Sequence, residues 1–271
     1  MPIFLADSSR PSCPKTKLRE LKSNTRIGCF LFSLKGKTMN ELILAVSLLV
    51  IFGSTLLAYR LFGKSGLFAQ NAIVTVLANI EVLILVNAFG LEQTLGNVLF
   101  ASTYLITDIL SENEGKKEAD RAVSIGIFVA VAMVVLTQSW LLYDVSNNDW
   151  VFPHIQSIFY STPRLMLASL LGYAISQRFD VWLYHKWWDF TTKKFGNSTR
   201  FLWLRNNGST LISQIINTVI FNTTAFAGVY NTKTFISIII SSYAIYIVTS
   251  LLDTPFVYIA RKLKTSGKIP D

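Results

Sequence analysis

From position 39 onward the chain alternates long apolar runs with short polar connectors. Seven runs stand out: Leu42–Phe62, Leu67–Gly90, Thr94–Leu110, Ala122–Tyr143, Arg164–His185, Ser209–Tyr230 and Thr234–Tyr258. Each is close to the roughly 17–25 residues that a tilted helix needs to cross a bilayer. The pattern predicts an all-α fold, a polytopic transmembrane helix bundle of about seven spans. Residues 39–264 read as a single transmembrane domain and residues 265–271 as a short tail. The third run is the shortest, and its length leaves a re-entrant segment open.

Charge gives this bundle a direction. Only 15% of the residues are charged while 51% are hydrophobic, yet the net charge is +9. A soluble domain carries about a quarter charged residues. Taken on alternate sides, the connectors after Met39 place fourteen basic residues on one side, among them Lys116, Lys117, Lys193, Lys194, Lys262 and Lys264. Only Arg164 and Lys233 flank helices on the other side. Basic residues mark cytoplasmic loops, so the C-terminus is expected in the cytoplasm and the N-terminus, counted from Met39, outside a cell inner membrane. With the positive charge assigned to loops, nucleic acid is not an expected partner.

Residues 1–38 break this pattern. Their eight basic residues and three prolines accompany a single apolar run, Ile27–Leu34, too short to span. They read as a disordered basic tail or as an extension upstream of the true start at Met39. Gly36-Lys37-Thr38 has the end of a phosphate-binding loop, but Leu31 stands where its first glycine belongs. Both cysteines, Cys13 and Cys29, also lie here, and His154 and His185 show no HExxH spacing. No metal site and no cofactor is expected.

The chemistry sits inside the spans, where ionisable groups are costly and mark function. In the second span Asn79 and Asn87, eight apart, share a helix face, and Glu81 needs a partner or water. Asp108 and Glu112 stand at i and i+4 at the end of the third span, on one face. The charged hairpin beyond them offers Lys116 and Lys117 as solvated partners for Glu112 and Glu114. The fifth span puts Gln177, Asp180 and Tyr184 on one stripe, with Arg178 nearby to pair with a carboxylate across the bundle. Trp182, Tyr184, Trp187 and Trp188 read mostly as an interfacial belt, with His185 part of it, and Trp182 is also placed to act as a stacking wall. The sixth span carries Arg205, Asn206 and Asn207, then a stripe of Thr210, Gln214, Asn217 and Phe221. Packing alone needs fewer amides than this. A polar cavity for a hydrogen-bonding solute accounts for them.

These blocks resemble the queuosine-precursor branch of the vitamin-uptake-transporter-like family. The matching segments are Thr107-Asp108-Ile109-Leu110-Ser111-Glu112 with Gly115-Lys116-Lys117, then Ala168-Ser169 through Gln177 and Asp180-Val181. Leu202-Trp203-Leu204-Arg205-Asn206, Ser209-Thr210 and Thr218-Val219-Ile220-Phe221 complete the set. Asn217 stands where members often carry aspartate, and Glu114 where an aromatic often precedes the glycine. The family core has six helices, so the first span is an addition.

The resemblance implies import of a 7-deazaguanine base (preQ0, preQ1 or queuine) for queuosine in tRNA. Such a base offers N–H donors to a carboxylate, an acceptor oxygen to an amide or arginine, and a flat ring to an aromatic wall. The expected substrate-binding residues are Asp108, Gln177, Asp180, Arg205, Asn206, Gln214 and Asn217. Besides the base and membrane lipid, a homo-oligomer or an unidentified energising partner stays open. Two other readings compete. One is a substrate-capture membrane subunit of an ATP-driven vitamin uptake complex, and the other an intramembrane enzyme, for which no GxSxG or HExxH motif speaks.

Overall fold

In a computed structural model the chain is described over residues 24–146, 148–160, 163–196, 200–229 and 231–270. Of residues 24–38, 91, 92 and 163 the backbone alone is described. Seven helices appear there: α1 Asn24–Glu81, α2 Gly96–Asn113, α3 Lys116–Trp140, α4 Phe152–Tyr160, α5 Pro163–Phe195, α6 Leu202–Phe226 and α7 Thr232–Thr265. Two short strands, β1 Leu85–Ala88 and β2 Leu91–Thr94, lie between α1 and α2. The basic stretch expected as a tail or extension falls largely outside the described residues.

α1 is two arms joined at Gly63, whose φ of +59° only glycine adopts easily. The Gln70 amide donates to the Ser54 hydroxyl at 2.9 Å, so the second arm folds back along the first. With α1 counted as two, the helical segments of span length answer to the seven runs of the sequence. Three stretches, Met39–Glu81, Lys116–Trp140 and Thr232–Thr265, are long and apolar enough to cross a membrane. The helices that fall short, α2, α5 and α6, carry the polar stripes, which dilute their apolarity.

The second run does not end as the pattern predicts. Helix stops at Glu81, and the apolar residues after it pair instead as an antiparallel hairpin with Leu85 opposite Thr94. Phe89 and Gly90 both have positive φ, the two-residue turn that suits strand twist. The Phe89 amide donates to Glu41 at 2.9 Å and the Asn40 side chain donates to the Asn87 carbonyl at 3.0 Å. Asn87 therefore shares no helix face with Asn79.

α2 is the central element. Fifteen of its eighteen residues are buried, and α1, α3, α5 and α7 pack around it, so it is a continuous helix rather than a re-entrant turn. Large apolar side chains such as Val50, Phe128, Val135, Ile240 and Leu251 face outward. The polar stripes of α5, α6 and α7, such as Gln177 and Asp180, Thr210 and Gln214, and Ser250 and Asp253, are buried instead. This inside-out arrangement suits a lipid solvent, in which an exposed polar group is the costly one.

Candidate functional site

α6 organises the interior, because its stripe meets a different partner at each turn. Asn217 donates to Gln214 Oε1 at 3.3 Å. The Ser213 hydroxyl donates to Asp180 Oδ1 at 2.8 Å, and the Thr210 hydroxyl to Asp108 Oδ2 at 3.2 Å. Asn206 donates to Asp253 Oδ1 at 2.9 Å. Arg205 closes the series on Glu112. At 1.5 Å per residue, the stretch from Asn217 to Arg205 makes a polar column roughly 18 Å long.

One end of the column opens into a cleft. Ala78, Val82, Gly96, Asn97, Phe100, Ser169, Asn217, Phe221 and Tyr246 line this narrow cleft, which has about 30 Å³ of free space, room for about one water molecule in this conformation. A smaller void of about 10 Å³ shares Ala78, Phe100 and Ser169 with it and reaches Thr103 and Tyr173. The Tyr246 hydroxyl donates to Asn97 Oδ1 at 3.0 Å. Phe100 stands edge-on to Tyr104 and Tyr173. The cleft thus offers a flat aromatic surface beside amides, as a polar heterocycle requires.

Gln177 is fully buried between α5 and α2. Its amide donates to Thr103 Oγ1 at 2.7 Å and its carbonyl accepts from Thr107 at 3.1 Å. Gln177, Asp180 and Tyr184 are all buried, as their common stripe predicts.

The other end is shut by charge. Arg205, fully buried, donates to both oxygens of Glu112 at 2.6–2.9 Å. Tyr184 donates to the same carboxylate at 2.7 Å, and Arg261 lies 3.4 Å from it. The guanidinium also sits 4.2 Å above the Trp188 ring. Glu112 is therefore no solvated loop residue. Glu114 likewise turns away from Lys116 and Lys117, accepting from Tyr59 at 2.7 Å and pairing with Lys264 at 2.9 Å. The dense lysines of the hairpin had made local pairing look sufficient, but helices distant in sequence converge on both carboxylates.

The seven expected site residues all lie along the column, and they divide. Asp108, Gln177, Asp180, Gln214 and Asn217 lie in its middle and upper part. Asn206 is held by Asp253, and Arg205 is spent on Glu112. Arg178 is exposed and, among the described residues, makes no ion pair. Trp182 is exposed too, with the Lys186 ammonium 5.8 Å from its ring, so it walls nothing in the column. The belt histidine, His185, is half-buried and stacks on Trp188.

One residue escaped the pattern altogether: Asp253 of α7, fully buried, facing Asn206. Its signal was present, since an aspartate within the apolar run of a span is a functional candidate on cost alone.

A family model described as "putative vitamin uptake transporter" matches residues 94–260, which contain the whole column. The chain is 38% identical over 215 residues to a protein of Bacillus subtilis (strain 168) named "Probable queuosine precursor transporter", covering 79% of this chain and 92% of that protein. No solved structure matches.

Proposed function

We propose that this chain, which belongs to the vitamin uptake transporter family, imports a queuosine precursor. It is a multi-pass membrane protein, and the solute leaves it chemically unchanged. The substrate class is a 7-deazaguanine base, preQ0, preQ1 or queuine, destined for queuosine in tRNA. The observation that carries the reading is the buried column of amides and carboxylates leading from an aromatic cleft. A polar interior of this kind in a lipid-facing bundle is stabilised only by partners or solute. The name of the Bacillus subtilis relative, 38% identical over nearly its whole length, points to the same solute.

In this reading Asp108 and Asp180 accept the adjacent N–H donors of the base, while Gln177, Gln214 and Asn217 serve its oxygen and remaining edge. Asn206 lies deeper, and Arg205 acts by closing the path. The basic connectors face the cytoplasm of a cell inner membrane. The cleft then opens outside and the Glu112–Arg205 pair closes the cytoplasmic end.

The test is tRNA queuosine in a bacterium lacking its own synthesis and uptake, supplied with this gene and fed one limiting base at a time. Restored modification with one base names the substrate. A membrane-inserted protein that restores none of them refutes the substrate class. Uptake by the purified protein in liposomes without ATP or additions separates a self-sufficient transporter from a capture subunit.

A further inference from the structure

Asp108 on α2, Asp180 on α5 and Asp253 on α7 are three fully buried carboxylates whose hydrogen-bond donors fall within about two turns of α6. Each is met by a neutral donor: Thr210, Ser213 and Asn206 respectively. The titratable and charged groups around them are Tyr104 and Glu112 from α2 and Tyr184 from α5, with Arg205 from α6 bonded to Glu112. The one cation in that set, Arg205, is already committed to Glu112 by three hydrogen bonds.

Three uncompensated negative charges in so small a dry volume cost far more than they return. Among the described residues no three His, Cys, Asp or Glu side chains converge closely enough to ligate a metal ion. A separate observation points to the ligand. The Asn206 carbonyl oxygen is buried and accepts from nothing, although its amide nitrogen is anchored on Asp253. That nitrogen also donates to the Thr254 hydroxyl at 3.2 Å, so the amide is held in place with its oxygen lacking a donor among the described residues. Asp108 Oδ1 and Asp180 Oδ2 are unpartnered as well. A proton on the trio supplies the missing donor and reduces the charge in one step.

We propose that Asp108, Asp180 and Asp253 bind and release the proton that drives transport, making the protein a proton–base symporter. The proton reaches a carboxylate oxygen from the cleft side and crosses with the base. It leaves to water on the other side once the Glu112–Arg205 end opens, so the carboxylates return to their starting state and each cycle carries one proton's positive charge inward with the base. The inference rests on the transport reading, with Asp253 serving the proton and not the base.

Full-length protein in liposomes tests both parts. A pH difference of about one unit, acid outside, permits roughly tenfold accumulation for one proton per base. Wild type is expected to accumulate labelled base under that gradient and to acidify the lumen as it does so. Asp253→Asn should still exchange labelled for unlabelled base, at a reduced rate, yet lose the accumulation entirely. Accumulation that survives collapse of the gradient, or that persists in Asp253→Asn, overturns the proposal.

Failure of wild type to exchange any of the three bases rejects the substrate reading instead, and infrared spectra then decide on the proton. Wild type in lipid should show a carboxylic-acid C=O band that shifts in D2O and weakens in Asp253→Asn. Absence of that band overturns the proposal, even where the variant fails to fold.

Discussion

Arg205 and Glu112 meet in a fully buried, two-pronged ion pair, the guanidinium donating at 2.6–2.9 Å to both carboxylate oxygens. They lie 93 positions apart in the chain, and their contact ties α6 to the end of α2. Tyr184 from α5 and Arg261 from α7 reach the same carboxylate. Four helices are thus fastened at one point.

Removing one partner of such a pair leaves a bare charge in a dry place, at a cost of about 3–5 kcal/mol. Arg205→Ala should therefore lower the melting temperature of the solubilised protein sharply. Arg205→Lys should sit between it and wild type, because lysine keeps the charge but loses the fork and the ring contact. The double variant Glu112→Leu with Arg205→Leu should recover much of the loss. A double variant no more stable than Arg205→Ala would show that the ion pair itself is not what was lost.

Glu114 provides the contrast. Its partner Lys264 is about one-third exposed, and solvent screens such pairs to about 0–1 kcal/mol. Glu114→Gln keeps an acceptor for the Tyr59 hydroxyl. It should shift the melting temperature far less than Glu112→Gln, and the small shift should shrink further at high salt. Equal shifts for the two glutamines would contradict the assignment of Glu112 as the buried anchor.

Much of this was legible in the sequence and some was not, for physical reasons. Spans were visible because a bilayer demands unbroken apolar length. The stripe of Thr210, Gln214 and Asn217 was visible because helical period alone puts the three on one face. The hairpin after Glu81 was hidden, since LILVNAFG is as apolar as the helix before it and its turn uses Phe89 rather than asparagine. Asp253 was legible on cost alone and from its stripe with Tyr246 and Ser250, but only the folded chain shows Asn206 as its partner. Glu114 was misplaced because the lysines next to it in sequence outshone Tyr59 and Lys264, which only the folded chain brings near.

The amides of the column can be tested by size-matched removal of polarity. Gln214→Leu and Asn217→Leu keep the volume but leave the neighbouring polar groups unpaired at roughly 1–3 kcal/mol each. Uptake should fall by about tenfold or more, the equivalent of losing one such interaction with the base. Membrane levels should stay near wild type, and the melting temperature should fall only by the few degrees that such a cost implies. Unchanged uptake in both variants would remove these residues from the path.

Close packing between α3 and α5 makes a different prediction. At Gly126 an added Cβ would fall onto the hydroxyl and ring of Tyr173, whose hydroxyl also accepts from Asn71 of α1 at 3.3 Å. The tyrosine cannot yield without breaking a three-helix junction. Gly126→Ala should cost about 1–3 kcal/mol, the usual price of overpacking, seen as a lower melting temperature. Tyr173→Phe, made in the same background, should recover part of it.

Gly172 links packing to the cleft itself. A Cβ there would stand 2.7 Å from Asn217 Oδ1, nearer than side chains tolerate, and the obstacle is a side chain rather than backbone. The amide of Asn217 can swing away at little cost to the fold, but doing so breaks its bond to Gln214 and turns its carbonyl out of place. Gly172→Ala should therefore keep the melting temperature within a few degrees while reducing base uptake through a weaker apparent affinity. Misplacement by about an ångström is enough for a large loss of rate. Pairing it with Asn217→Ala, which removes the clash and the amide together, should give no further fall. A further fall in that pair would mean that Gly172 acts through something other than Asn217.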